Sequence, residues 1–135
     1  MFRKHSDVKF GLDNESKLFQ LLRDKFDKDL VRTTGKYAIF DYRSELIDVE
    51  LKTRKNNYAT YPDTMIGVNK LEYAEKTDKD VYFVFSFFDG NYYWKYDKKD
   101  VDAGIVQFRQ GGRKDRGFNE INQYAFIPIN ALIKI

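Results

Sequence analysis

The sequence predicts an α/β fold in which helices pack on a mixed central sheet. Two segments repeat apolar residues at the spacing of an amphipathic helix, and several others alternate apolar and polar residues as half-buried strands do. The run VYFVFSFF at residues 81–88 is apolar almost throughout, which is typical of a central strand covered on both faces. Helices interspersed with strands in this way favour layers of helix on sheet.

The first elements are a helix and two short strands. Leu18, Leu22 and Phe26 recur at helical spacing, and Asp13 or Asn14 can cap the first turn, so we predict a helix at residues 13–27. A short strand is expected within residues 30–33. The segment KYAIFDYR, residues 36–43, is rich in aromatic and β-branched residues and predicts another strand.

The next strand, ELIDVELKT at residues 45–53, has one charged face. Strict alternation places Asp48, Glu50 and Lys52 on the side opposite Ile47, Val49 and Leu51. If Arg43 lies opposite Asp48, an antiparallel register places Asp41 opposite Glu50. Taken alone, the pattern is also that of a strand with one solvated face.

The second half of the chain is richer in strands. Residues 56–63 read as a loop, and a second helix is predicted from a cap at Asp63 or Thr64, through Met65, to about Lys76. The central strand at 81–88 is followed by the turn Asp89-Gly90-Asn91 and a hairpin arm, YYWKY. Further strands are predicted at residues 105–108 and 124–127, with a short helical or extended tail, NALIKI.

Length and composition limit the classes of protein and of site. The 135 residues suit a single domain, 1–135. Without Cys and with one His, the chain cannot form a Cys-based zinc site, a Cys–His nucleophile pair or a disulfide framework. Any metal ligands must be oxygen atoms, which favours a hard cation such as Mg²⁺ or Mn²⁺. No apolar run has membrane-spanning length and no signal peptide is recognisable, so we expect no membrane contact and a cytoplasmic location.

Positive charge is concentrated near residue 109. The net charge is +3, and the glycine-containing stretch FRQGGRKDRG predicts a mobile basic loop that carries Arg109, Arg113, Lys114 and Arg116. Such a loop is either a solvated surface loop or a contact with the phosphates of a nucleic acid.

The charged strand and its neighbours resemble the PD-(D/E)XK nuclease superfamily. The resemblance rests on Asp41, on Glu50-Leu51-Lys52 and on Glu15 in the preceding helix. It implies a restriction-endonuclease-like αβββαβ core at residues 12–88, with the C-terminal strands as additions. Phe40 precedes Asp41 where the motif has Pro, and the literal pair Pro62-Asp63 follows the Glu-x-Lys element and has the wrong order.

The resemblance implies a role for each of these residues. Asp41, Glu50 and the carbonyl of Leu51 would hold Mg²⁺ or Mn²⁺, and Lys52 would orient the attacking water or stabilise negative charge on the phosphate. Glu15 would reach a second metal ion or a metal-bound water. Asp48 is the alternative to Asp41 as the strand ligand.

Residues around this motif are candidates for nucleic-acid contact. Lys70 on the second helix would face the site, as a lysine or glutamine there often does in the superfamily, although a solvated helix lysine is the simpler interpretation. Lys55 and Tyr58 follow the motif strand, where a phosphate backbone would pass. With the four basic residues near position 109, they complete the expected binding set.

Three functions fit the sequence. The leading one is a small Mg²⁺-dependent nuclease that hydrolyses DNA and, as a homodimer, would span two strands. Its compact size and composition suit a phage or mobile-element gene. A non-catalytic nucleic-acid-binding module on the same fold is the alternative. A structural protein whose charged strand is merely exposed is the third.

Overall fold

The computed structural model describes residues 15–35, 38–111 and 122–135. Helix α1 is described over 15–25. The later elements are, in chain order, β1 (Val31–Arg32), β2 (Tyr42–Arg43), β3 (Ile47–Thr53), β4 (Asp63–Gly67), α2 (Val68–Lys76), β5 (Asp80–Phe87), β6 (Gly90–Lys95), α3 (Lys98–Asp102), β7 (Gln107–Gly111), β8 (Asn122–Pro128), a 3₁₀ turn (Ile129–Ala131) and β9 (Ile133–Lys134).

The main sheet is mixed, as the sequence predicts. Its strands lie in the order β1-β2-β3-β5-β6-β9. β3 and β5 run parallel, from Ile47 opposite Asp80 to Thr53 opposite Ser86, and the other pairs are antiparallel. The expected order αβββαβ is present, with β4 inserted before α2. The α/β fold with a mixed central sheet is therefore confirmed.

Apolar clusters cover both faces of this sheet. On one face, Ile47, Val49 and Val84 pack with Leu22 of α1. On the other, Phe83 and Phe85 belong to a cluster that includes residues of α2 and of a second sheet. β5 contributes buried residues to both clusters, which is why its sequence is apolar almost without interruption.

The second sheet corrects one prediction. Asp63–Gly67 is strand β4 and not the start of the second helix, which begins at Val68 and has Gly67 as its N-cap. β4 pairs with β8 over five positions, in the sheet order β4-β8-β7. Thr64 and Ile66 are buried in alternation, so the period of this stretch is two. Hydrogen bonds to a distant strand override the local helical spacing.

The strand predicted at residues 36–43 is also corrected. Residues 36–37 lie outside the described ranges, and of the remainder only Tyr42–Arg43 is strand. Before it, the Asp41 N–H donates to the Val49 carbonyl at 3.0 Å, and the Asp41 carboxylate accepts from the Leu51 N–H at 2.8 Å. The side chain thus takes the place of a backbone ladder bond. The register of Arg43 opposite Asp48 and the short strand within residues 30–33 are confirmed.

The C-terminal strands differ from the prediction in their bounds. β7 begins at Gln107 and continues to Gly111, so Arg109 lies in a strand opposite Tyr124 and not in a loop. Arg113, Lys114 and Arg116 lie outside the described residues. The tail forms the 3₁₀ turn and then β9, which pairs with β6. No helix in the described ranges is long and apolar enough to cross a membrane.

Candidate active site

Glu50 is the centre of the candidate site. Glu50 is only 5% exposed, although it belongs to the charged face of β3. The Lys70 Nζ lies 3.3 Å from its Oε2, and the Lys52 Nζ lies 3.7 Å from its Oε1. Burial raises the pKa of Glu50, the negative charge of Asp41 raises it further, and the two lysines oppose the shift.

One oxygen of Glu50 lacks a hydrogen bond. Oε2 is buried and has no hydrogen-bond partner, so its 3.3 Å contact with Lys70 is an ion pair without hydrogen-bond geometry. A buried carboxylate oxygen left in this state is costly unless a cation or a donor approaches it. The Glu50 Oε2 is therefore compensated only by the ion pair with Lys70.

Asp41 directly precedes β2 and is hydrogen-bonded to β3 at Leu51, the residue after Glu50. Its Oδ2 is held by the Leu51 N–H, which fixes the carboxylate next to the strand that carries Glu50. The residue is exposed, whereas Glu50 is buried. The negative charge of Asp41 raises the pKa of Glu50, so the two carboxylates repel each other.

The two lysines differ in position. The Lys70 side chain points inward from α2: it donates to the Ile39 carbonyl, its Nζ lies 5.4 Å from the centroid of the Phe40 ring, and it is 20% exposed. The Lys52 side chain is 36% exposed and lies at the mouth of the site. One ammonium thus balances the buried charge, and the other remains accessible to a ligand.

These groups fit a hard divalent cation. The described residues contain no cluster of three or more His, Cys, Asp and Glu side chains that could hold a metal ion. Two carboxylates of Asp41 and Glu50 with the adjoining carbonyl of Leu51 are, however, an all-oxygen donor set, which Mg²⁺ accepts while keeping several waters. A bound cation would compensate the buried Oε2 and the repulsion between the two acids.

A family comparison agrees with this geometry. The model of the family described as "Phage putative PDDEXK endonuclease" matches residues 2–135. The chain belongs to this family. Neither a curated protein nor a solved structure matches the chain significantly.

Membership in this phage PD-(D/E)XK endonuclease family confirms the resemblance to the superfamily. At a coarse level it makes the chain a nuclease of nucleic-acid substrates. PD-(D/E)XK nucleases generally use divalent metal ions.

Two other acids that the sequence singles out have ion-pair partners of their own. Glu15 of α1 pairs with Arg32 at 3.1 Å, and α1 packs on the opposite face of β3. Asp48 pairs with Lys79 at 2.9 Å and not with Arg43, its register partner. No contact within the described residues joins either acid to Glu50. Asp41 is the acid whose charge acts on Glu50.

The residues predicted to contact nucleic acid differ in how far they are already bound to other parts of the protein. Lys55 is exposed in the loop after β3. The ring of Tyr58 stacks on Tyr92 at 4.0 Å, and its hydroxyl donates to the Ile129 carbonyl at 2.7 Å, so both parts of the side chain bind protein. Arg109 pairs with Asp63, and its guanidinium lies 3.9 Å from the Phe126 ring centroid. These contacts favour a structural role for Tyr58.

Two groups that pair with the charged side chains were not predicted from the sequence: Lys79, which pairs with Asp48, and the Ile39 carbonyl, which accepts from Lys70. Lys79 directly precedes β5, and parallel pairing of β3 with β5 would have placed it beside Asp48. That pairing was the missing signal. The Ile39 carbonyl, which accepts from Lys70, is a backbone group and carries no sequence signal.

Proposed function

We propose that this family member hydrolyses DNA phosphodiester bonds. Asp41 and Glu50 would bind Mg²⁺ or Mn²⁺, and Lys52 would contact the scissile phosphate. The observation that carries the proposal is the Glu50 carboxylate: it is buried, one of its oxygens lacks a hydrogen bond, and the charge of Asp41 acts on it. Such a group stays ionised at neutral pH most readily when a cation binds it.

The proposed metal ligands are Asp41, Glu50 and the Leu51 carbonyl. When bound, the ion supplies Lewis-acid chemistry, polarising the phosphoryl oxygen and lowering the pKa of water. Asp41 is already oriented by the Leu51 N–H, so it loses little conformational freedom on binding. Glu15 is left out of this ligand set because its carboxylate is paired with Arg32 on the other face of the sheet.

The lysines have separate proposed roles. Lys52, at the mouth of the site, would donate to a non-bridging oxygen of the scissile phosphate and stabilise the charge that develops there. Lys70 would hold the buried carboxylate ionised and oriented through its ion pair and its bond to the Ile39 carbonyl. Burial of Glu50 strengthens its interaction with Lys70.

Cleavage of DNA by matched variants tests the proposal. Supercoiled plasmid, duplex and single-stranded oligonucleotides are incubated with the wild type in Mg²⁺, Mn²⁺ or EDTA. We expect products only with metal, and a loss of rate of about 10²-fold or more in Glu50→Gln and in Lys52→Ala. Glu45→Gln, which changes an exposed acid just before β3, is the control and should cleave like the wild type. A folded wild type that leaves every substrate intact with both metals contradicts the proposal.

One observation favours a second function, a non-catalytic nucleic-acid-binding module. The ammonium of Lys70 already lies beside the Glu50 oxygen that a metal ion would bind. A site neutralised by its own lysines can bind phosphates without a metal. This function predicts DNA binding that weakens with salt, that EDTA does not change, and that yields no products.

A further inference from the structure

A cavity of about 660 Å³ opens on the α1 side of the main sheet. Leu18 and Leu21 of α1 and Leu51 of β3 form its apolar lining, and Thr53 and Ser86 add hydroxyl groups. β3 and β5 run parallel, so their carboxyl ends meet here, which is where open α/β sheets bind ligands. Leu51 lies between Glu50 and Lys52 in β3, so the cavity is on the opposite face of the sheet from their side chains, at the edge where β3 and β5 end.

Phe88 gives this cavity an exposed aromatic surface. Phe83, Phe85 and Phe87 of β5 are all buried, whereas Phe88, the next residue after the strand, is 73% exposed. Its backbone is nevertheless fixed, because its N–H donates to the Asn56 carbonyl at 3.1 Å. An aromatic ring held on a rigid backbone and open to solvent is suited to stacking on a planar ligand.

The charges around the cavity suit an anionic ligand. Lys17 contributes to its lining, and the Cε of Lys134 lies 3.8 Å from where a Cβ would stand on Gly90, another lining residue. Glu15 also lines it, but Arg32 neutralises that carboxylate. A ligand with a flat apolar group and a negative charge could pack on the apolar lining and pair with Lys17 or Lys134.

We propose that this cavity binds an unpaired nucleobase, stacked on Phe88, of a DNA strand that passes round the carboxyl-terminal edge of β3 and β5 from the side of Lys52. The proposal rests on the proposed function and names its substrate form, single-stranded DNA. A base inside a duplex has neighbours on both faces and offers none to Phe88, whereas an unpaired base is free to stack. The volume of about 660 Å³ lies within the roughly 300–1,000 Å³ typical of small-ligand sites.

Binding without cleavage tests this inference. The full chain is titrated in EDTA, at one salt concentration, with a single-stranded oligonucleotide and with a blunt duplex of the same sequence. A 2-aminopurine in the single strand reports stacking through its fluorescence. The variants are Phe88→Ala, Phe88→Tyr, which keeps the ring, and Leu46→Ala. Leu46 is the matched control because it is 71% exposed and lies at the other end of β3.

We expect tighter binding of the single strand than of the duplex, together with quenching of 2-aminopurine. Phe88→Ala should weaken single-strand binding about 5-fold to 100-fold, whereas Phe88→Tyr and Leu46→Ala should not. Equal affinity for both forms, or Phe88→Ala behaving like Leu46→Ala, overturns the inference. Because EDTA prevents metal-dependent cleavage, a Phe88-dependent single-strand preference in a protein that never cuts DNA would uphold this inference and remove only the proposed function.

Discussion

Glu50 and Lys70 set the charge balance of the candidate site. Glu50, whose register partner on β5 is Phe83, has a buried carboxylate that is compensated by Lys52 and Lys70. Of the two lysines, Lys70 is the less exposed, so water screens its charge less. Without a bound metal ion, the protein therefore depends on Lys70 to compensate the charge of the buried Glu50 carboxylate.

Replacing Lys70 by Met tests this dependence. Met keeps the helix propensity and the apolar stem but removes the charge, which leaves a buried carboxylate under-compensated. We expect the free energy of unfolding in EDTA to fall by about 1–2 kcal/mol, less than the ~3–5 kcal/mol of a fully buried pair because Lys70 is 20% exposed. Chemical denaturation measures the change.

Lys76→Met is the control for this prediction, since Lys76 is an exposed residue of the last turn of the same helix. Adding Mn²⁺ should raise the stability of Lys70→Met more than that of Lys76→Met, because a bound cation replaces the missing ammonium. Equal stability of the two variants in EDTA would show that Lys70 does not compensate Glu50.

At the scale of elements, local sequence patterns predicted the helices and strands that depend on neighbouring residues. The spacing of Leu18, Leu22 and Phe26 predicts α1, and alternation predicts β3 with Glu50 and Lys52 on one face. The start of α2 was wrong because the partner of β4, strand β8, lies about 60 residues away along the chain, and helical spacing says nothing about it. The burial of the charged face of β3 was likewise not predictable, because α2 and the second sheet, which cover it, come from distant parts of the chain.

Asp27 links the end of α1 to the turn between β2 and β3. Its carboxylate accepts from the Ser44 hydroxyl at 2.6 Å and from the Asp29 N–H at 2.9 Å. Ser44 in turn accepts from the N–H groups of Leu46 and Ile47. The hydrogen bond from Ser44 is the main cause that holds the pKa of Asp27 below its ordinary value of 3.8.

The pH dependence of stability follows from this lowered pKa. Because the folded protein prefers the ionised Asp27, its contribution is fully present above pH 3.8 and is lost as the pH falls through the lower pKa of the folded state. We expect the Tm of Asp27→Asn to lie below that of the wild type at neutral pH, with the gap closing as the pH falls below 3.8. Asp29→Asn, an exposed neighbour, should leave the Tm unchanged; a gap that is constant with pH would contradict the assignment.

At the scale of the whole molecule, the candidate site lies where two sheets and α2 meet. The main sheet supplies Asp41 and Glu50, α2 supplies Lys70, and the second sheet completes the apolar cluster on that side. The order αβββαβ and the family were predictable because the motif and its elements lie close together along the chain. The second sheet was not, because its three strands are drawn from three separate stretches and each is short.

Arg54 joins the two sheets next to the site. It follows β3, two positions beyond Lys52 on the same face, and its Nε donates to the Thr64 hydroxyl at 3.1 Å while its Nη2 donates to the Met65 carbonyl. Burial lowers the pKa of its guanidinium. Because Thr64 and Met65 belong to β4, this one side chain couples the strand that carries Glu50 to the second sheet.

Arg54→Met should therefore destabilise the fold and not only the site. The change removes two hydrogen bonds and leaves the Met65 carbonyl without this donor, at a cost of about 1–3 kcal/mol in the free energy of unfolding. Arg54→Lys should recover only part of the loss, since an ammonium lacks the planar fork that reaches both acceptors. Arg43→Met, at an exposed arginine of β2, is the control for thermal and chemical unfolding. If Arg54→Met unfolds at the same denaturant concentration as Arg43→Met, the two sheets are held together by their apolar cluster alone, and Glu50 does not depend on this link for its position.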